Sequence, residues 1–284
     1  MQLIEKEMPD NFNLHYYGDV HDGSIFSTQS GFNLFVDTLN SKYQGCKNNY
    51  AIDMGDMIEA ITMDDPRYSE DTIEGSPVLE QIDFAINKRK KYKDKLITIL
   101  LGNHELKLWK YGNITEKVCK ELNVPYGTYT SKVTFKDKNG GLMFKTYVTH
   151  GRKGISSAAD DPVRRLANMK LALKRHLKFK AGDCACMIKG HSHKLIVCEP
   201  EYELFLTDDG KNISQHYTSW GQNEEYIHPD ARWYGNSGSF LKLYREGFSG
   251  YAEMAEYDPV QLGWLVLIVR DRKIQKLEPF YIKV

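Results

Sequence analysis

The stretch KLITILLGNHE, residues 95–105, joins an almost uninterrupted apolar run to a short polar sequence. An apolar run of this length is typical of a strand buried on both faces, as in a parallel sheet covered by helices. The polar residues Asn103, His104 and Glu105 would then lie at the carboxyl end of a buried strand.

Two earlier segments repeat this organisation. FNLHYYGD (12–19) and NYAIDMGD (49–56) also combine a strand pattern with a terminal Gly-Asp. Amphipathic helices are predicted after them, over 28–43 and over 77–92, with Pro77 near the first turn of the second. Alternation of strand and helix predicts an α/β fold with parallel strands in layers.

The later part of the chain is richer in strands. Strands are predicted at 131–137, 142–150, 184–190, 238–244, 263–271 and 273–284, with a helix at 161–179 and a hairpin around 208–211. No linker interrupts this pattern. We therefore expect a single domain over 1–284, with an acidic surface loop near 64–77 and a β-rich C-terminal extension from about residue 194.

Composition excludes several classes of protein. The 284 residues carry 38 basic and 38 acidic side chains, so a wholesale polyanion-binding surface is not indicated, although a local basic patch is compatible with this balance.

The five scattered cysteines suit buried thiols in a reducing compartment. No apolar segment approaches the roughly 20 residues that span a bilayer, and the N-terminus lacks a signal-peptide core. We expect a cytoplasmic protein without membrane contact; nothing in the sequence specifies an oligomeric state.

Polar residues follow each predicted strand, and most stand beside a glycine. Each motif alone is compatible with an ordinary polar turn. Together they form a series at strand ends, and the carboxyl ends of strands in an open α/β sheet meet at one edge, where ligands bind. The members of this series are Asp19, His21, Asp56, Glu59, Asn103, His104, His150, His191 and His193.

The chemistry of these residues indicates a metal site. Aspartate, asparagine and histidine without cysteine form a mixed oxygen and nitrogen ligand set, which suits Mn, Fe, Zn, Co or Ni better than Ca or Mg alone. Seven candidate ligands are too many for one ion. They suit two ions that share a bridging carboxylate, about 3.5–4 Å apart.

The ordered motifs D-x-H (19–21), G-D-x-x-E (55–59), G-N-H-E (102–105), H-G (150–151) and G-H-x-H (190–193) resemble those of the calcineurin-like metallophosphoesterase superfamily. They span about two thirds of the chain. The resemblance implies a two-layer β-sandwich flanked by helices, with a two-metal site at one end.

The resemblance also implies roles for single residues. Asp19, His21 and His193 would hold one ion, Asn103, His150 and His191 the other, and Asp56 would bridge them. His104 is expected to act as general acid for the leaving oxygen or to stabilise transition-state charge. Glu59 stands where the family often has an aspartate that orients this histidine.

Four further residues are candidates for substrate binding. Asn236 and Ser239 lie in YGNSGSF, which resembles an Asn-x-Gly-Ser segment of several phosphodiesterase branches, but a Gly-rich turn is the alternative. Arg152 and Lys153 follow His150 directly and would meet a phosphate oxygen, or lie in a solvated loop.

Sequence features limit the classes of substrate that are expected. Protein Ser/Thr phosphatases of the superfamily carry arginines where Ala60 and Leu101 stand here, and they lack a compact G-H-x-H. The pattern is similar instead to repair nucleases, bacterial phosphodiesterases and UDP-diacylglucosamine pyrophosphatases. The basic helix at 161–179 would attract nucleic acid, or be a solvated amphipathic helix. Aromatic residues of the C-terminal part would stack on bases or simply pack: Tyr217, Trp220, Tyr226, Trp233 and Tyr234.

We therefore expect a dinuclear phosphodiesterase that hydrolyses a nucleic-acid or nucleotide phosphodiester through a hydroxide activated by two divalent ions. Mn²⁺ is the preferred ion, with Fe, Zn, Ni, Co or Mg as alternatives. A phosphomonoesterase of a small substrate is the second candidate. A metal-stabilised, non-catalytic scaffold is the third, and His104 argues against it because a scaffold needs no acid.

Overall fold

A computed structural model describes residues 1–75, 78–219 and 221–283. The strands are β1 Gln2–Glu7, β2 Phe12–Tyr17, β3 Asn49–Asp53, β4 Leu96–Ile99, β5 Thr130–Lys136, β6 Leu142–Thr149, β7 Cys186–Lys189, β8 Leu195–Cys198, β9 Leu204–Asp208, β10 Ile213–Tyr217, β11 Trp233–Ser237, β12 Gly263–Arg270 and β13 Lys273–Tyr281. The α-helices are α1 Gln29–Asn40, α2 Leu79–Lys90, α3 Asn103–Lys107, α4 Ile114–Leu122, α5 Pro162–Leu177 and α6 Tyr251–Met254.

Two sheets form the centre of the molecule. The five-stranded sheet has the order β13-β12-β2-β3-β4, and its β2, β3 and β4 run parallel, as the βαβ pattern of the sequence predicts. The six-stranded sheet has the order β1-β5-β6-β7-β11-β8, in which β6, β7 and β11 are parallel neighbours.

The sheets pack face to face, and helices cover their outer faces. Phe12 of β2 stacks on Phe144 of β6 with ring centroids 6.3 Å apart, inside an apolar core contributed by both sheets. A second core joins α1, α2 and α4 to the five-stranded sheet, and a third joins α5 to the six-stranded sheet. The predicted α/β architecture, a two-layer β-sandwich flanked by helices, is confirmed.

Some element predictions were wrong or incomplete. The segment 238–244 is not a strand and forms only an isolated bridge between Leu241 and Ser27. Strand β1 was not predicted, because QLIEKE is short, charged and exposed except at Ile4; it adds to the sheet edge beside β5. The predicted positions of Pro77 in the second helix and of Trp220 lie outside the described residues.

The C-terminal third of the chain contributes to both sheets. Strands β8 and β11 complete the six-stranded sheet, and β12 and β13 complete the five-stranded one. The hairpin β9–β10 forms a separate two-stranded sheet whose ten residues are all exposed. The five cysteines are free and buried. Within the described ranges, no helix combines the length and the apolar character needed to cross a membrane.

A buried ion-pair network fixes α2 beneath the strand ends. Arg89 is fully buried, and its Nε donates to Asp53 Oδ2 at 2.7 Å. The same carboxylate oxygen accepts from the Tyr17 hydroxyl at 2.8 Å. Asp22, which follows the D-x-H motif, pairs with Arg89 Nη1 at 3.5 Å and with Lys88. Asp22 therefore anchors its loop to α2.

Arg89→Met tests this network. Removal of the guanidinium leaves the buried carboxylate of Asp53 without its cation and Asp22 with Lys88 alone, so we expect the free energy of unfolding to fall by about 3–5 kcal/mol. Lys90→Met removes the neighbouring cation from an exposed pair with Glu121 and should cost less than about 1 kcal/mol. Urea denaturation measures both; equal losses would show that the network does not stabilise the fold.

Candidate metal centre

The strand ends bring the predicted site residues to one place. Asp19 and His21 follow β2, Asp56 and Glu59 follow β3, and Asn103 begins α3 after β4. His150 follows β6 directly, and His191 and His193 follow β7. The loops thus come from both sheets and meet at one end of the sandwich.

Asp19, His21 and His193 form the first cluster, with potential ligand atoms all within 4.8 Å of one another. The Nε2 atoms of His21 and His193 are 3.3 Å apart, and His193 Nε2 lies 3.3 Å from Asp19 Oδ1. Asp19 Oδ1 is buried, and no described residue forms a hydrogen bond with it. A bound cation would satisfy both the facing nitrogens of His21 and His193 and this carboxylate oxygen.

Asp56, His150 and His191 form the second cluster, again within 4.8 Å. His150 Nε2 lies 2.9 Å from Asn103 Oδ1 and 3.3 Å from Asp56 Oδ2. On its other side, His150 Nδ1 lies 2.8 Å from the carbonyl oxygen of Met54. Donation of the Nδ1 proton to this carbonyl turns the Nε2 lone pair toward the cluster, which is the arrangement of a metal-binding histidine.

The backbone at these positions is unusual. Of the seven predicted ligands, five have positive φ: Asp19, His21, Asp56, His191 and His193. Residues other than glycine rarely adopt a positive φ, and each such residue costs on the order of 1 kcal/mol or more. Such strain is concentrated at functional sites, where the surrounding structure imposes it.

Asp56 connects three of the loops. Its carbonyl oxygen accepts from the amides of Val20 and His21 at 2.9 and 3.1 Å, and its Oδ1 accepts from the amide of His104 at 2.9 Å. Gly102 lies directly against it: a Cβ at Gly102 would come within 2.1 Å of the Asp56 nitrogen. The glycine of G-N-H-E therefore permits close approach of the two loops.

Glu105, to which the sequence reasoning gave no role, also joins these loops. Its Oε1 accepts from the amides of Met57 and Ile58 at 2.6 and 3.1 Å, and its Oε2 accepts from the amide of Gly102 at 3.1 Å. The buried Glu105 carboxylate thus fixes the G-D loop relative to the G-N-H-E turn.

In the metal-free polypeptide, the ionisable side chains of the site shift one another's pKa values. Burial disfavours the charged form of Asp56, but His150 and His104 outweigh it and hold the pKa of Asp56 well below its usual value. Burial also opposes the charge of His150, whose pKa is nevertheless raised to about 9, chiefly by Asp56. Burial and the positive charge of His150 lower the pKa of His191 to about 4. In the metal-free polypeptide the site thus combines ionised carboxylates with a neutral His191 and a protonated His150, whose proton a bound cation would displace.

Glu59 lies beside His104 but contacts it through the backbone. The carbonyl oxygen of Glu59 accepts from His104 Nδ1, whereas Glu59 Oε2 lies 2.9 Å from His21 Nδ1. The role of the Glu59 carboxylate in orienting His104 therefore stays a prediction, and the contact that the structure describes is made by the Glu59 carbonyl. Burial opposes the charge of the Glu59 carboxylate, but the contact with His21 outweighs it and holds the pKa of Glu59 below its usual value.

His104 is held in one orientation by this backbone contact. Burial would lower the pKa of His104, but the carboxylates of Asp56 and Glu59 and the Glu59 carbonyl reverse the effect and raise it. His104 also lines the cavity beside the clusters.

The four predicted substrate-binding residues do not line that cavity. Asn236 and Ser239 are fully buried; the Ser239 hydroxyl donates to the carbonyl of Asp19 at 3.0 Å, and Asn236 donates to the carbonyl of Lys194. They support the loops of the first cluster from behind. Arg152 and Lys153 are exposed on the loop after His150.

The cavity beside the clusters has a volume of about 670 Å³. Its walls include Arg67, Tyr251 and Tyr257, which the sequence reasoning missed because they belong to loops without a recognisable motif. Of the aromatic residues predicted to stack on bases, Trp233 and Tyr234 are buried in packing, and Tyr217 and Tyr226 are exposed outside the cavity.

Helix α5 lies against the six-stranded sheet through Leu173 and Leu177, while Leu166 is exposed. The cavity wall includes no residue of α5. Lys174 of this helix pairs with Glu201 at 2.9 Å and with Asp230 at 3.5 Å.

Comparison with known proteins gives only distant structural similarity. No family model and no curated protein matches the chain. Among solved structures, a predicted phosphoesterase from Streptococcus pneumoniae is similar at 12% identity and a TM-score of 0.30, covering 96% of this chain and 98% of that one. The NAD nucleotidase of Haemophilus influenzae has 12% identity and a TM-score of 0.41, covering 96% of this chain, which spans half of that protein. The Pseudomonas putida nuclease MPE has 11% identity and a TM-score of 0.34, covering 94% and 87%. Similarity at this level defines neither family nor substrate, so the chemistry is inferred from the site.

Gly102→Ala tests the close approach of the loops. Because the new methyl group would overlap the Asp56 backbone, we expect a loss of about 3 kcal/mol in the free energy of unfolding. Gly154→Ala is the matched control: a Cβ there meets no atom within 4 Å, and the change should be within about 0.5 kcal/mol. Equal stability of the two variants in urea titrations would contradict the packing described.

Proposed function

We propose that the protein is a metal-dependent phosphodiesterase. The observation that carries this proposal is the pair of adjoining clusters, each with a carboxylate and two histidines, beside a cavity that His104 also lines. Asp19, His21 and His193 would hold one divalent cation, Asn103, His150 and His191 a second, and Asp56 would serve both. The ligand set fits Mn²⁺, and also Fe, Zn, Ni, Co or Mg.

Two such cations would supply positive charge that polarises the phosphoryl group and acidifies the attacking water. The remaining steps belong to side chains of the protein. Because the Glu59 carbonyl holds His104 Nδ1, the Nε2 side of the ring is left for the substrate. We infer that His104 gives its proton to the leaving oxygen as the bond to phosphorus breaks.

No side chain is assigned as nucleophile. The carboxylates of Asp19 and Asp56 are proposed as metal ligands and lie 3.3 Å from His193 and His150, and the five cysteines are buried. Direct attack by water on phosphorus is therefore the step that the side chains support.

The proposed activity is tested with Mn²⁺-loaded protein. We expect faster hydrolysis of bis-p-nitrophenyl phosphate than of p-nitrophenyl phosphate, loss of activity with EDTA, and recovery on addition of Mn²⁺. Faster cleavage of the monoester would favour the phosphomonoesterase. Metal binding without hydrolysis of either ester, or of a dinucleotide, would favour the non-catalytic scaffold.

His104→Ala separates a proton donor from a merely structural residue. An alkoxide needs a proton far more than a nitrophenolate does, so kcat should fall by about 10²–10⁴ for a dinucleotide but by less than about tenfold for bis-p-nitrophenyl phosphate. Mn²⁺ affinity, measured by titration calorimetry, should be retained. His228→Ala, at an exposed histidine, is the control. An equal fall for both substrates would refute the role as acid.

A further inference from the structure

Two loops wall the cavity beside the metal clusters. The first is the described part of the acidic loop, residues 64–75, which contributes Arg67, Thr72 and Ile73. The second, here called the C-terminal loop, covers residues 241–260 between β11 and β12. It contributes the apolar and aromatic residues Leu241, Leu243, Tyr251, Ala252, Tyr257 and Val260, together with the charged residues Lys242, Glu256 and Asp258.

The acidic loop is attached at both ends. Lys107 Nζ donates to Asp65 Oδ2 at 3.1 Å, and the amide of Glu74 donates to the carbonyl of Gly23 at 2.7 Å. Between these points, Arg67 donates from Nε and Nη2 to the Asp65 carboxylate at 3.0 and 2.8 Å. Its Nη1 has no hydrogen-bond acceptor within the described ranges, so this side of the guanidinium is available to a phosphate oxygen in the cavity.

The C-terminal loop presents aromatic rings to the same cavity. The rings of Tyr251 and Tyr257 have centroids 5.9 Å apart and meet edge to face, and each residue is about half exposed, at 48% and 49%. The amide of Lys242 donates to the carbonyl of Phe26 at 2.9 Å, which fixes the start of the loop. A flat ring entering the cavity would stack on this surface at little cost in ordering.

The net negative charge of the two loops disfavours binding of a long polyanion. The acidic loop carries five carboxylates and one cation, and the C-terminal loop carries four carboxylates and two cations. The basic helix α5 is not part of the wall. A polynucleotide would run past this acidic rim with many phosphates, whereas a single phosphate would reach Arg67 inside it.

We propose that the cavity between these loops is a subsite for one aromatic base, so that the substrate is a nucleotide-sized phosphodiester and not a polynucleotide. Arg67 binds a non-bridging phosphate oxygen, and the base stacks on the ring of one tyrosine, Tyr251 or Tyr257, and meets the other ring at its edge. The volume of about 670 Å³ is in the range of small-molecule sites. This inference rests on the proposed phosphodiesterase activity for its substrate, but the subsite is testable by binding alone.

The activity test compares two diesters that break the same bond. Thymidine 5′-p-nitrophenyl phosphate and methyl p-nitrophenyl phosphate both release nitrophenolate, and only the first carries a base. We expect kcat/KM to be about tenfold or more higher for the thymidine ester. A thymidine dinucleotide should also be cleaved faster per bond than a thymidine 20-mer. Equal kcat/KM for the two esters, or faster cleavage of the 20-mer, would overturn the proposal.

The variant Y251A/Y257A should bring the ratio of the two kcat/KM values close to one, whereas Tyr257→Phe, which keeps the ring, should preserve the preference. Tyr111→Ala removes an exposed tyrosine that does not line the cavity and serves as the matched control. Arg67→Gln should raise KM for both esters about tenfold and leave their ratio unchanged. A ratio unaffected by Y251A/Y257A would remove the tyrosines from the subsite.

Titration calorimetry separates failure of the subsite from failure of the proposed activity. Thymidine 5′-monophosphate should bind the Mn²⁺-loaded protein about tenfold more tightly than inorganic phosphate, and Y251A/Y257A should abolish this difference. If both esters are hydrolysed at equal rates, the subsite is wrong and the activity holds. If neither is hydrolysed but the nucleotide binds through the tyrosines, the activity is wrong and the subsite holds.

Discussion

The candidate site depends on the buried residue Asp56. Its carbonyl fixes the loop after β2, its Oδ1 fixes the start of α3, and its Oδ2 faces His150 at the end of β6. A buried carboxylate is costly unless its charge is compensated, and here the amide of His104 and the ring of His150 face the Asp56 carboxylate. Three loops from two different sheets are thereby held within ligand distance of one another, and five strained backbone positions are maintained.

The two clusters are supported in different ways. In the second cluster, His150 Nδ1 lies against the carbonyl of Met54, while in the first cluster His21 Nδ1 lies against the Glu59 carboxylate. Glu59 thus serves two histidines, one through its side chain and one through its carbonyl. Substitution of the Glu59 side chain would remove both its contact with His21 and the negative charge that raises the pKa of His104, and it would leave the carbonyl contact to His104 in place.

The sequence predicted most of what depends on local pattern. The apolar run before G-N-H-E predicted the buried strand β4, and the five polar motifs predicted which loops meet. The strand at 238–244 was predicted wrongly, because its apolar residues serve other contacts: Phe240 stacks on Trp264, and Leu241 and Leu243 line the cavity. Strand β1 was missed because pairing at a sheet edge needs little apolar surface.

Other features of the site depend on tertiary placement. The partner of Glu59 is decided by a backbone contact that motif spacing does not encode. Arg67, Tyr251 and Tyr257 come from segments without periodicity, and they reach the cavity only because each loop is attached to the segment 23–26. Asn236 and Ser239, which were predicted to bind substrate, match the Asn-x-Gly-Ser segment. They nevertheless lie behind the predicted metal ligands, where they support the backbone of Asp19 and Lys194.

The most direct test of the central claim is a crystal structure of Mn²⁺-soaked protein with anomalous data collected at the manganese edge. Two cations sharing a carboxylate would give two peaks about 3.5–4 Å apart on either side of Asp56, one near His193 and one near Asn103. A single peak away from Asp56, or no peak under conditions in which Mn²⁺ binds in solution, would contradict the two-metal site.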